Sequence, residues 1–277
     1  MKIFNKIKQP PLTLVWGVCL VLSVILRTYE LVALTETRTG FMVRETEPVA
    51  YVLLILIGLL SALSAIFCTT VKTAFINPKL NLWHAAAAIA LSVGIIADYS
   101  LNGYSGIPAA PELLCAVLQV VSAVYFIAYA FSFLFFKPFS DKLMIIPLVF
   151  FVVKTAAVFI RNSYHAVITD TIFDVVAYSF VMLFFLEYVR FLNGLGTKTT
   201  PQKTAMFGVL ASSLCTVSAL PKFLVSIFLS RSALHDNASS YILPLMAGIF
   251  IGVFTLLGIK PQKKHRAPLL SIDKNEI

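Results

Sequence analysis

The chain has 277 residues, 59% of them hydrophobic and only 13% charged, with a mean hydropathy of +0.89 and a formal net charge of +9. Soluble domains carry about a quarter charged residues, and a water-soluble core of this size has no way to hide so much apolar surface, which excludes an ordinary soluble domain. Lipid must be the solvent for most side chains, and lipid admits only helices of about 20 apolar residues or a closed barrel.

Continuous runs decide for helices: Val49 to Cys68 reads VAYVLLILIGLLSALSAIFC, without a charge and without period-two alternation. The expected fold is therefore all-α, a polytopic transmembrane helical bundle. The N-terminal stretch MKIFNKIKQPPLTLVWGVCLVLSVIL has the basic start and apolar run of a signal peptide but no small-x-small cleavage site, so it reads as an uncleaved first span over 11–29. Seven more spans follow at 49–69, 82–99, 111–136, 143–160, 172–192, 205–229 and 241–259. Between them lie strong breakers: Asn77 with Pro78, the stretch holding Asn102, Gly103, Gly106, Pro108 and Pro111, then Pro138, then the Gly194 to Pro201 linker. Residues 1–259 read as one transmembrane domain and 260–277 as a polar, basic cytoplasmic tail expected to be disordered. A four-plus-four division near Asp141 reveals no matched segments, so no repeat is expected.

The charges orient these spans. Lys2, Lys6, Lys8, Lys72, Lys79, Lys137, Lys142, Arg190, Lys198, Lys203, Lys260, Lys263, Lys264, Arg266 and Lys274 fall on one side, which is fifteen of the 22 Lys and Arg. Arg27, Arg38, Arg44, Arg161 and Arg231 fall on the other, where Glu30, Glu36, Glu45, Glu47, Asp98, Glu112, Asp170 and Asp236 also gather. Short cytoplasmic loops are enriched in positive charge, so eight spans with both termini inside are expected, with the plasma membrane as location. A cluster such as Lys260, Lys263, Lys264 and Arg266 just after an apolar run reads as a topology signal that meets anionic lipid headgroups. No basic stripe with interleaved aromatics accompanies it, which argues against a nucleic-acid partner.

Catalytic signatures are sparse. Cys19, Cys68, Cys115 and Cys215 lie in four different apolar segments without a C-x-x-C, as buried small residues do, so neither a disulfide nor a metal site is expected. There is no H-E-x-x-H, no P-loop and no G-x-G-x-x-G, hence no expected cofactor and little sign of an enzyme. Gly103, Tyr104, Ser105 and Gly106 spell G-x-S-G, which resembles the serine motif of rhomboid intramembrane proteases. In that family the serine opens a membrane helix and a histidine on another helix serves it. Here Pro108 and Pro111 separate the motif from the fourth span, and the nearest outer-side histidine, His165, sits in a loop. A glycine turn accounts for the motif.

The functional lead is charge inside the membrane, where each ionised group costs several kcal/mol unless paired or hydrated. Lys154 lies about three residues from the midpoint of the fifth span, roughly 4 to 5 Å at 1.5 Å per residue. Lys222 follows Pro221 in the seventh, and Asp174 lies one turn inside the outer end of the sixth. All three are assigned to the outer half. One reading pairs Lys154 with Asp174 and Lys222 with Asp98 or Glu112 for structural specificity. The other leaves two lysines against one aspartate, a positively biased pocket that takes a carboxylate, a phosphate or a headgroup. Glu187 and Arg190, three apart, are expected to pair along their helix, and Arg27 and Glu30 share that spacing at the end of the first span. Gly248 and Gly252 form G-x-x-x-G, which favours close helix packing within the monomer, or with a membrane partner or in a homodimer. Two functions fit: a small-solute carrier for an anionic or zwitterionic solute, holding it with Lys154, Asp174 and Lys222 and flanked by Asp98 and Glu112, or a non-transporting membrane component such as a sensor, scaffold or subunit.

Overall fold

The computed structural model describes residues 12–34, 47–70, 73–75, 82–101, 110–134, 140–162, 168–197, 199–228 and 241–261. Eight apolar helices dominate them: α1 Leu12–Tyr29, α2 Glu47–Thr70, α3 Leu82–Leu101, α4 Ala110–Leu134, α5 Ile145–Asn162, α6 Ile168–Leu192, α7 Thr200–Phe228 and α8 Ile242–Gly258. Each falls on one expected span with its ends moved by a few residues. The chain is an all-α, multi-pass integral membrane protein.

Local chemistry explains the helix ends. Gly194 takes a left-handed φ of 68° just past the end of α6, where an L side chain would be strained, and its N–H bonds the Phe191 carbonyl. Pro201 sits in the first turn of α7, Pro147 in that of α5 and Pro244 in that of α8, where the missing N–H would have had no helical partner. A 3₁₀ turn at Asp141–Met144 leads into α5. Beyond Tyr29, α1 widens into a π-helical segment, Glu30–Leu34, that carries the chain inward-facing to Leu31 and Leu34.

Seven of the helices are long and apolar enough to cross a membrane. α8 has 17 residues, about 25 Å at 1.5 Å per residue. Its register shows that it runs the same depth as its longer neighbours. His84 near the start of α3 meets Phe254 near the end of α8, while Gly94 near the end of α3 faces Met246 near the start of α8. A short antiparallel ladder then ties β1, Thr73–Phe75, to β2, Ile259–Pro261. That pairing brings the α2–α3 connection and the end of α8 to one face of the bundle. The strands were not expected from the sequence.

Helices α3 to α8 form a closed ring. Each contacts the next, and α8 returns to α3; α1 and α2 contact each other and lie outside against α7. Lipid tails are as apolar as leucine, so packing and small residues rather than water exclusion hold such helices together. On α2, Val52, Ile55, Leu59, Leu63 and Ile66 are exposed to lipid while Ala50, Ile57, Ser61, Ser64 and Ala65 turn inward. Along the α7–α8 seam, Ser212 Oγ donates to the Gly248 carbonyl at 2.9 Å. A Cβ on Gly248 would stand 3.1 Å from Cys215 Cβ and 3.2 Å from the Thr216 backbone N, and one on Gly252 would meet Ser212 and Trp16. The G-x-x-x-G motif is thus filled by α7 of the same chain, the intramolecular one of the two contacts it allows.

The inner half of the ring is filled by aromatic rings. Phe151 stacks on Phe185 with centroids 5.1 Å apart, Phe126 meets Phe250 edge-on at 5.2 Å, and Tyr188 meets Phe254 at 4.8 Å. Edge-to-face and offset contacts of this kind add about 0.5–1.5 kcal/mol each beyond area.

Candidate functional site: charged pairs at the outer end of the ring

Above the aromatic layer lie polar side chains from five ring helices and from the residue before the sixth: Asp98 near the end of α3, Gln119 and Lys154 near the middle of α4 and α5, Asp174 and Tyr178 on α6, Ser218 and Lys222 on α7, and Tyr241 just before α8. Lys154 Nζ donates to Asp98 Oδ2 at 2.7 Å, and the Gln119 amide, from the helix between α3 and α5, donates to the same oxygen. Lys222 Nζ reaches both oxygens of Asp174 at 3.3 and 3.2 Å, and Ser218 donates to Asp174 Oδ1. The Lys222 ammonium also lies 5.6 Å from the centre of the Tyr241 ring, within the range of a cation–π contact.

This pairing exchanges the partners expected from the sequence. Lys154 takes Asp98 rather than Asp174, and Asp174 takes Lys222. Among the described residues the two lysines of this layer stand against two aspartates rather than one. Depth along a helix can be read from a sequence, but which helices face each other cannot, and here α6 lies against α7 while α3 and α5 converge across α4. The Glu112 side chain lies outside the described residues, as do the Gly103 to Gly106 motif, His165, the loop of residues 35–46 and the tail from residue 262.

The two pairs meet around Tyr178. This residue is buried, stands one turn inward of Asp174 on α6, and lies within electrostatic range of both Asp98 and Asp174. Solvent reach differs within each pair: the Lys154 side chain is 16% exposed and Asp98 7%, whereas Lys222 is 3% exposed and Asp174 27%. Pro221 lies immediately before Lys222 inside α7. Its missing N–H frees the Val217 carbonyl one turn earlier, beside Ser218, and allows the helix to flex at the site.

A third pair was placed at a helix end by the sequence and proves to be inside. Arg27 Nη1 lies 2.7 Å from Glu30 Oε2, both side chains are 1% exposed, and the guanidinium stands 5.6 Å from the Phe173 ring beside Asp174. The π-helical extension buries it by carrying the chain past the point where the apolar run stops. At the cytoplasmic end Arg190 Nη1 meets Glu187 Oε1 at 3.0 Å, as expected. His84 is buried edge-on to Phe254, with ring centroids 5.4 Å apart.

Gln119, Ser218 and Tyr178 escaped the sequence reading because neutral polar residues perturb hydropathy little. Gln119 did leave a signal: it is the lone amide in a 25-residue apolar helix, and an amide in hydrocarbon needs a partner. Cys19, Cys115 and Cys215 are free and buried, and no cluster of metal-ligating side chains occurs among the described residues. No protein-family model, curated protein or solved structure matches this chain. Its function must be argued from the ring itself.

Proposed function

We propose that this membrane protein is a small-solute carrier of the plasma membrane, with an outward-facing site for an anionic or zwitterionic solute built on Lys154, Asp174 and Lys222 and supported by Asp98. The observation that carries this reading is the division of the ring into a charged outer layer and an aromatic inner layer. Four ionisable groups on four different helices converge above a plug of packed phenylalanines. Charges at such depth cost several kcal/mol each before pairing, and a bundle held by phenylalanine and small-residue packing does not require them for cohesion. A solute that engaged both pairs would tie α3 and α5 to α6 and α7 and so couple its own binding to the arrangement of the ring. Pro221 gives α7 a point at which to bend.

The alternative, a non-transporting sensor, scaffold or subunit, is favoured by the closeness of the Lys154–Asp98 pair, since 2.7 Å is also the geometry of a purely structural bridge. A thermal-shift screen of small anions and zwitterions on purified protein, followed by uptake into proteoliposomes, separates the two. The carrier reading expects a stabilising solute that is also taken up, and loses both properties in Lys154→Ala and Lys222→Ala. Stabilisation that survives both substitutions would refute the assigned site; a bound solute that never crosses would refute transport.

A further inference from the structure

We infer that the ligand is a zwitterion, with its anionic group seated on Lys154 and its ammonium seated on Asp174. This rests on the proposed outer-side binding site and names the chemistry it selects. In each pair one member is more buried, and the more buried members have opposite signs: Asp98 against Lys154, and Lys222 against Asp174. What the ring offers to an incoming molecule is therefore one cation on α5 and one carboxylate on the adjacent α6, each anchored by a buried counter-charge. The anchors hold both groups in place, so neither has to be organised when the ligand arrives.

The hydrogen-bonding capacity of both groups leaves room for such a ligand. A lysine ammonium has three donors, and Lys154 gives one to Asp98, whose Oδ2 is also held by Gln119. A carboxylate has about four acceptor positions, and Asp174 receives Ser218 on Oδ1 and Lys222 across both oxygens. A ligand can thus be added without stripping either pair. A simple anion would gain Lys154 but face Asp174, and a simple cation would gain Asp174 but face Lys154. Only a molecule carrying both charges satisfies both. The same chemistry is found in a free amino acid and in a phosphatidylethanolamine headgroup.

The test uses the full chain in nanodiscs and three straight-chain probes of similar size: γ-aminobutyrate, butyrate and butylamine. γ-Aminobutyrate, or a longer or shorter member of its ω-amino acid series, is expected to stabilise the protein and to bind about tenfold or more tighter than either singly charged probe, the loss of one charged hydrogen bond being worth that factor. Asp174→Asn is expected to remove the preference over butyrate while butyrate binding persists, and Lys154→Met to remove the preference over butylamine. These are changes of selectivity, which a variant that merely misfolds would not show. Equal binding of butyrate and the ω-amino acids to the unaltered protein would overturn the inference. To separate the sources, discs of phosphatidylglycerol are compared with discs of phosphatidylethanolamine. Loss of amino acid binding only in the latter assigns the seat to the headgroup, and binding in both assigns it to the free zwitterion. Zwitterion binding without uptake into proteoliposomes refutes the carrier reading and leaves this site standing, whereas uptake of butyrate in preference refutes this inference and leaves the carrier.

Discussion

The Asp174–Lys222 pair is asymmetric in burial, and that asymmetry can be read in a double-mutant cycle. Asp174→Asn takes from the Lys222 ammonium, 3% exposed, the carboxylate that lies 3.2 Å from it. Removing one partner of a buried pair costs about 3–5 kcal/mol because the remaining charge stays desolvated. Lys222→Met instead leaves Asp174, which is 27% exposed and keeps its bond from Ser218. Its expected cost is that of a lost hydrogen bond to a charged group, about 1.5–3 kcal/mol. The double variant Asp174→Asn with Lys222→Met removes both charges and keeps the volume, and is expected within about 1 kcal/mol of the parent or above it, since apolar replacements of buried pairs are often neutral or stabilising. Thermal unfolding in detergent, followed by a thiol-reactive dye, reports each variant as the buried Cys19, Cys115 and Cys215 become accessible. The order of melting should be double, then Lys222→Met, then Asp174→Asn lowest. If Lys222→Met melts below Asp174→Asn, or if the double variant shows the sum of the two losses, the burial reasoning is wrong.

Gly248→Ala places a Cβ 3.2 Å from the Thr216 backbone N, so a loss of about 1–3 kcal/mol in stability is expected with no change in oligomeric state by size exclusion; a changed oligomer with unaltered melting would show that the motif serves another chain. Gln119→Leu removes a neutral donor to Asp98 and should cost about 1–3 kcal/mol while leaving the protein folded, and an unchanged melting temperature would mean that Asp98 does not depend on this amide. Cysteines at positions 74 and 260, which stand opposite each other in the β1–β2 ladder, should cross-link in membranes, and failure to do so would refute the pairing. Reporter fusions after Lys264 and within residues 232–239 should read inside and outside respectively; a reporter active outside after Lys264 would overturn the eight-span orientation.

Spans were legible because they are written along one dimension: apolar length sets where a helix crosses, while loop charge sets only the expected direction. The positions of Lys154, Lys222, Asp98 and Asp174 as costly charges were legible for the same reason. Their partners were not, because partnership depends on which helices are neighbours, and in lipid the outward face of a helix is as apolar as the inward one. α6 illustrates this: Phe180, Phe184 and Phe185 surround Tyr178 and Asp174 with apolar residues on every side, so no amphipathic stripe points to α7. Arg27 and Glu30 differ: the apolar Leu31 to Leu34 let the first helix be read past Glu30, but the π-helical turn that draws both charges inside left no mark in the residues.

The closure of the ring between α3 and α8 also bears on how the protein is made. Every other contact around the ring joins helices consecutive in sequence, whereas this one joins the first ring helix to the last. During synthesis the growing chain can pair α3 with α4 and onward as each helix leaves the translocon, but Phe126 on α4 and Phe184 on α6 lack the rings of Phe250 and Phe254 until α8 arrives. Insertion of α8 is thus the committing step of assembly, and the β1–β2 ladder fastens it by binding the residues that emerge next to the first cytoplasmic hairpin. A chain stopped before Ile242 would present an open, aromatic-lined crescent to the bilayer, the kind of surface that membrane quality control removes.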